Sequence, residues 1–312
     1  MRRRGFARMV TAGLIAAGLA GAIPSTPAFL AAAAPPSGSP PPTLRLSAIP
    51  DQNPEKLNRL YPLVAKVLSR QLGVPVKYVP MVDYPAAVSA FRTGDLDLVW
   101  FGGLTGVQAR LQRPGAVVVA QRDIDASFRS VFIANPASGL RSFVPQKGLT
   151  ALKGKRFTFG SESSTSGRLM PQWFLAQSGV RLSDFAGGAP GFSGSHDATI
   201  ALVQSGAYEA GVVNEQVWRS SLRNGKANRA KVFHLWTTPG YPDYHWLAQP
   251  NLERRFGPGF TARLRKAILG WRQSNPDEKT ILDLFGAQQF TTAGADDYKR
   301  IEEVGRQIGL IR

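Results

Sequence analysis

The chain contains no cysteine. Disulfides, thiolate metal sites, cysteine nucleophiles and a lipid anchor on cysteine are therefore excluded. Histidine is nearly as scarce: His196, His234 and His245 are the whole complement, and they lack the spacing of a metal-ligand set. No Gly-x-Ser-x-Gly nucleophile elbow is present. No lysine follows the second glycine of the turn Gly160 to Gly167, so that turn is not a nucleotide P-loop. These absences lead us to expect a protein that is not an enzyme and that uses neither metal nor cofactor.

Acidic residues are also few, 21 Asp+Glu against 38 Lys+Arg. Such a balance favours anionic partners. The basic residues are scattered rather than clustered, which speaks against nucleic acid. The run Met9 to Ile23 is apolar, follows the basic start Met1-Arg-Arg-Arg-Gly-Phe-Ala-Arg8 and is soon broken by Pro24 and Pro27. It is too short for a membrane span and reads as a secretory signal peptide over residues 1–34, with Arg3-Arg4-Gly5-Phe6 resembling a twin-arginine signal. Residues 35–42, Pro-Pro-Ser-Gly-Ser-Pro-Pro-Pro, read as an extended linker. Residues 1–34 hold four arginines and no acid, so the rest keeps 34 basic against 21 acidic side chains, a net +13. A soluble, periplasmic monomer is expected.

Strand and helix patterns alternate along the remaining roughly 270 residues, enough for two ordinary domains. Strands are predicted at Thr43 to Ile49, Val74 to Val79, Leu96 to Phe101 and Val117 to Ala120, with helices at Glu55 to Leu72, from Asp83 to about Arg92, and at Leu104 to Leu111. After a strand at Ser130 to Ala134, a second series runs from the Phe157 strand to a strand at Lys231 to Trp236, and the C-terminus is helical. Alternation of this kind predicts an α/β fold with mostly parallel sheets. We expect two lobes joined by two crossovers, residues 43–135 with 237–312 and residues 136–236.

Gly160-Ser-Glu-Ser-Ser-Thr-Ser-Gly167 joins a predicted strand to a predicted helix. The first N–H groups of a helix lack internal partners and carry partial positive charge. Ser164, Thr165 and Ser166 add hydroxyl donors there, so the turn reads as an anion cradle. One such residue would suffice as an N-cap. His196 follows Ser193-Gly194-Ser195 at a second helix start and can donate from either ring nitrogen. Tyr84 offers a phenol behind the cap Asp83, or packs in the core. Thr105, after Gly102-Gly103, donates or caps. Asp51 and Asn53 are turn residues or contacts. Asp243-Tyr244 closes the cleft or packs the hinge. All these stretches, with Asn214, follow predicted strands, where open α/β sheets bind ligands.

Six stretches together resemble the phosphonate-binding type of periplasmic solute-binding protein of ABC importers: Ala48-Ile-Pro-Asp-Gln-Asn-Pro54, Val82-Asp-Tyr84, Asp97-Leu-Val-Trp-Phe-Gly-Gly-Leu-Thr105, the Gly160 to Gly167 turn, Ser193-Gly-Ser-His-Asp-Ala198 and Trp236-Thr-Thr-Pro239. The resemblance covers residues 43 to 312. It implies a type II periplasmic-binding-protein fold closing on a hinge, a permease partner in the inner membrane, and no catalysis. It also implies that Ser164, Thr165 and His196 hold a phosphonate-like oxyanion, with Tyr84 on the facing lobe. Asn214 stands where family members that bind aminoalkylphosphonates carry a carboxylate, which argues against an aminophosphonate. The Asp-Gln-Asn-Pro and Trp-Phe-Gly-Gly-Leu-Thr pieces are similar to a subgroup labelled selenate-binding.

The expected role is delivery of a small tetrahedral oxyanion, such as phosphonate, phosphite or phosphate, to an importer. The same role for selenate, selenite or sulfate is the alternative, and a sensor subunit or an exported ester hydrolase would be alternatives of another class. Proton counting separates the ligands. Sulfate and selenate are fully ionised near neutral pH and want donors only, whereas a protonated phosphorus oxyanion gains from a carboxylate acceptor. Asp197 is expected to serve its own helix N-terminus. The choice then turns on whether Asp51 or Asp243, with Tyr244 and Gly103 as further candidates, reaches the ligand.

Overall fold

The computed structural model describes residues 41–312; the expected leader and most of the linker lie outside the described residues. The first alternating series forms β1 (Leu44–Ala48), α1 (Pro54–Leu72), β2 (Val76–Tyr78), α2 (Tyr84–Thr93), β3 (Leu98–Phe101), α3 (Gly103–Gln112) and β4 (Val117–Arg122). The chain then crosses to β5 (Ser130–Ala134), β6 (Phe157–Phe159), α4 (Met170–Gln177), β7 (Gly191–Phe192), α5 (His196–Gln204), β8 (Ala210–Asn214), α6 (Glu215–Arg223) and β9 (Phe233–Thr237). It returns as β10 (His245–Ala248), α7 (Leu252–Phe256), α8 (Phe260–Leu269), α9 (Pro276–Phe285), β11 (Phe290–Thr291) and α10 (Lys299–Gln307).

Local chemistry explains the elements. Asn53 caps α1 by accepting from the Glu55 N–H, Pro54 occupies the first turn, and Gly73 ends the helix at φ 68°. Between these signals Leu57, Leu60, Tyr61, Val64, Val67 and Leu68 recur at helical spacing and are all buried. Each such side chain contributes roughly 1.5–3 kcal/mol by leaving water. α3 packs against α10 and against β10 of the first sheet.

Two sheets result, six strands in the order β11-β4-β10-β3-β1-β2 and five in the order β7-β6-β8-β5-β9. Both are mixed, and most strands in each run one way, as expected: only β10 and β11 oppose the rest in the first and β5 in the second. β1 pairs in parallel with β2 and β3, and β6 with β7 and β8. β10 and β5, however, run antiparallel to both neighbours. The reason is the connection: each of these strands enters its sheet directly from the other sheet, without the helical crossover that a parallel neighbour requires. Ser130–Ala134 pairs with β8 and β9, so this strand belongs to the second sheet and not with residues 43–122.

The two crossovers, residues 123–129 and 238–244, lie side by side. Phe128 and Tyr241 form an antiparallel bridge, and the Asp243 N–H donates to the Asp125 carbonyl at 3.0 Å. The sequence patterns do not reveal the two-residue β11 or the five-residue α7, which are too short to show a period.

Candidate functional site

One wall of the site comes from the second sheet. After β6 the chain turns through Gly160 to Ser164 and enters a π-helical turn, Thr165–Leu169, ahead of α4. The Leu169 and Met170 N–H groups reach back five residues to the Ser164 and Thr165 carbonyls. Such widened turns recur at functional sites. Ser164 Oγ accepts from the Gly167 N–H at 2.9 Å, which makes it the N-cap. A Cβ at Gly167 would lie 2.9 Å from Ser164 Oγ and 3.2 Å from the His196 ring, so the turn needs glycine there. Thr165 Oγ1 accepts from the Leu104 N–H of the first sheet's α3 at 2.9 Å. Ser166 Oγ is buried and has no partner.

Ser195 caps α5 and places His196 in its first position. His196 Nδ1 accepts from the Asn214 N–H at 3.3 Å. That leaves the proton on Nε2, which lies 3.4 Å from the Tyr244 hydroxyl. Burial pushes the imidazole down to about 3, so it is a neutral donor at physiological pH.

The facing wall comes from the first sheet and the second crossover. Tyr84 opens α2 behind its cap Asp83; burial and the Asp51 charge push its phenol well up, opposed by the nearby Ser164 hydroxyl, and its own hydroxyl has no geometrically sound partner. Asp51 follows β1, is 2% exposed and leaves Oδ1 unpartnered. Burial pushes its carboxyl up, against the pull of the Tyr244 hydroxyl and Lys56. Asp243 accepts from the Gly103 N–H through Oδ1 at 2.9 Å and leaves Oδ2 unpartnered. Burial, with the nearby Asp125 charge, raises it to about 7, opposed by the Gly103 N–H and by the Thr165 and Ser166 hydroxyls, which lie close to it without sound hydrogen-bond geometry to Oδ2. A Cβ at Gly102 would stand 3.2 Å from both Asp243 Oδ1 and Thr165 Oγ1, at the seam where the walls meet.

Four buried polar atoms in this cluster thus lack partners: Asp51 Oδ1, Tyr84 Oη, Ser166 Oγ and Asp243 Oδ2. Leaving such a group unsatisfied costs about 1–3 kcal/mol. Four of them, drawn from both sheets, are the candidates for ligand contact. Two are carboxyl oxygens and two are hydroxyls, so the cluster offers acceptors and donors together.

The remaining candidates lie around this cluster with their side chains engaged. The Thr105 hydroxyl donates to the Gly102 carbonyl within its own helix start. The Asn53 side chain caps α1. Asn214 Oδ1 caps α6 through the Val217 N–H at 2.6 Å, while its Nδ2 donates to the Tyr244 hydroxyl at 3.0 Å. Asp197 does not serve its own helix. Its Oδ2 accepts from the Asn53 N–H at 2.8 Å, because Ser195 already caps α5 and the start of α1 lies opposite.

Sequence reasoning missed Arg122. Its buried guanidinium pairs with Asp125 at 2.6 Å, donates to the Phe285 carbonyl at 2.7 Å, and lies 4.8 Å from the Tyr244 ring centroid. It fixes Tyr244 in place and sets a positive charge behind the carboxyls. The signal was there: Arg122 and Asp125, oppositely charged and three apart, end an apolar strand. Open cavities lie elsewhere, including one of about 380 Å³ lined by Phe128, Arg129, Gln216 and Arg223. The candidate site is instead a closed polar cluster. Among the described residues, no group of three His, Asp or Glu side chains is placed to hold a metal ion, and no helix is long and apolar enough to cross a membrane.

Comparison with known proteins identifies the family. Residues 46–298 match the family model described as "ABC transporter, phosphonate, periplasmic substrate-binding protein". The chain is 54% identical over 272 residues, 87% of its length and 92% of the relative's, to a protein of Prochlorococcus marinus (strain MIT 9301) named "Probable ABC transporter phosphite binding protein PhnD1". The solved structure of PhnD1 in complex with methylphosphonate superposes with a TM-score of 0.85, covering 86% of this chain and 99% of that one. A binding protein component of an ABC phosphonate transporter from Pseudomonas aeruginosa, 21% identical, has a TM-score of 0.72 over 85% of each chain and shares the fold.

Proposed function

This chain belongs to the phosphonate-binding family of periplasmic ABC-transporter substrate-binding proteins, and from that premise we propose that it captures a protonated phosphorus oxyanion, methylphosphonate or phosphite, and delivers it to a membrane permease. The observation that carries the ligand class is the pair of buried carboxyls, Asp51 and Asp243, each with a free oxygen, facing the hydroxyls of Tyr84 and Ser166. A proton retained on a phosphonate or phosphite oxygen can be donated to a carboxylate. Sulfate and selenate have no proton to give, and an ionised carboxylate repels them. Ser164, Thr165, Ser166 and His196 then supply the donors to the remaining oxygens. The neutral Asn214 fits a ligand without an amine.

Residues 43–122 with 245–312 act as one lobe and residues 130–237 as the other. They close about the paired crossovers, which strips water from the anion's contacts. Export to the periplasm, a monomeric state and a purely binding role complete the reading.

Titration calorimetry with methylphosphonate, phosphite, phosphate, sulfate and selenate, at about pH 6 and about pH 8, tests the ligand. Methylphosphonate and phosphite should bind at least about 100-fold more tightly than sulfate or selenate. Micromolar selenate binding with no measurable binding of phosphite or methylphosphonate would overturn it. Small-angle scattering should show a smaller radius of gyration with saturating methylphosphonate; an unchanged radius would count against closure.

A further inference from the structure

Two hydrogen bonds join the sheets beside the polar cluster rather than inside it. The His196 backbone N–H donates to the Asp51 carbonyl at 3.1 Å, and Asp197 Oδ2 accepts from the Asn53 backbone N–H at 2.8 Å. His196 and Asp197 begin α5 on the second sheet's side. Asp51 and Asn53 form the turn between β1 and α1 on the first. The Asp197 carboxylate therefore lies at the start of a helix from the opposite sheet, where the helix dipole favours negative charge. Lys56, one turn into α1, feels the charges of both Asp51 and Asp197. Lys56, Asn53, Asp197 and Lys226 line one small cavity of about 30 Å³, fed by both sheets.

We propose that Asp197 is a closure latch, a residue that holds the two halves together without touching the ligand and so sets affinity and residence time but not selectivity. The proposal rests on the ligand-binding reading above. Its physical basis is that a bond made in only one of two conformations shifts their equilibrium by the free energy of that bond. Separation of the lobes would break the Asp197 bond and leave a carboxylate and a helix-start N–H to water. The latch is coupled to the ligand by covalent continuity. The neighbouring residue, His196, presents its ring to the polar cluster while its backbone N–H makes the second of the two cross-sheet bonds. An anion that draws the imidazole into place therefore seats Asp197 on α1.

The test is rapid-mixing tryptophan fluorescence with calorimetry, using methylphosphonate and phosphite on the wild type, Asp197→Ala and Asp197→Asn. Asp197→Ala should bind both ligands about tenfold more weakly, through faster dissociation, with their affinity ratio unchanged. Asp197→Asn keeps an acceptor oxygen for the Asn53 N–H and should lose less; being isosteric, it also guards against misfolding of the alanine variant. With saturating ligand, scattering from both variants should reach the wild-type closed radius. Wild-type affinity in both variants would overturn the latch, as would a ratio between the ligands that moves with the substitution. Failure of the wild type to bind either anion would instead overturn the functional reading on which the latch depends.

Discussion

The two walls of the site are made by different means. On the second sheet, Ser164, Thr165 and Ser166 are consecutive, and His196 heads a helix of its own; the wall consists of hydroxyls, a neutral imidazole and helix starts. On the first sheet, Asp51, Tyr84, Gly102, Gly103 and Asp243 come from the ends of β1 and β3, the start of α2 and the second crossover. Donors dominate the first of these walls and carboxyls mark the second. A wall of donors holds any tetrahedral oxyanion. Only the wall with carboxyls can distinguish a protonated oxyanion from a fully ionised one, so on the proposed reading affinity and selectivity have separate structural sources.

The sharpest way to break that division is Asp243→Asn. The amide oxygen can still accept from Gly103, but an N–H₂ replaces an acceptor in the cluster. Methylphosphonate should bind about 100-fold more weakly, the upper range for a charged hydrogen bond, while sulfate and selenate bind no worse or better. Calorimetry with the same anions decides it, and an equal loss for all of them would show that this wall does not select.

Thr165→Val attacks the other wall. It keeps the shape, removes a hydroxyl donor and leaves the Leu104 N–H without its acceptor. Affinity should fall about tenfold for methylphosphonate and for sulfate alike. A loss confined to one anion would contradict the assignment of this wall to affinity alone.

A titration of stability isolates the carboxyl. Asp243 stands at about 7 in the folded chain, above the ordinary 3.8. Between those values the folded state keeps a proton that the unfolded state has lost, so this group lowers stability as pH rises from 3.8 to about 7, and adds no further slope above. Asp243→Asn cannot titrate and has no such pH dependence. Its melting temperature relative to wild type, without ligand, should climb across this window and then level off. His196 and His245, held down to about 3 and about 4, contribute slopes of the opposite sign below 6.5, but these are common to both proteins and cancel in the difference.

The smallest effect on binding is expected from Asn53→Ala. The side chain is spent on capping α1, and the backbone N–H that meets Asp197 survives the change. Chemical denaturation should show a loss of about 0.5–2 kcal/mol. Calorimetry should show affinity within about twofold of wild type. A larger loss of affinity would move Asn53 into the site itself.

What the sequence determined by itself follows from rules that act over a few neighbouring residues. The 3.6-residue period and the Asn53, Pro54 and Gly73 signals specify α1. Serine caps ahead of helices place Ser164 to Ser166 and His196 at helix starts. Those rules are satisfied within a turn or two of chain, so they are legible without the fold. Tertiary structure alone decided the rest. Asp51 and Asp243 both lie near Tyr84 because β1 and β10, which the second crossover feeds, flank β3, an outcome of strand order that no local pattern encodes. Asp197 looks in sequence like an acid in the first turn of its own helix, and only the approach of α1 turns it outward to Asn53. Arg122 and Asp125 are a charge pair three apart in sequence, and only the fold brings Trp100, Phe128 and Tyr244 over the guanidinium. The antiparallel entry of β5 and β10 depends on which sheet the chain crosses to, and that is settled by burying both sheets' apolar faces at once. A charged side chain's role depends on what is brought opposite it, and a linear sequence carries the charge but not the opposite face.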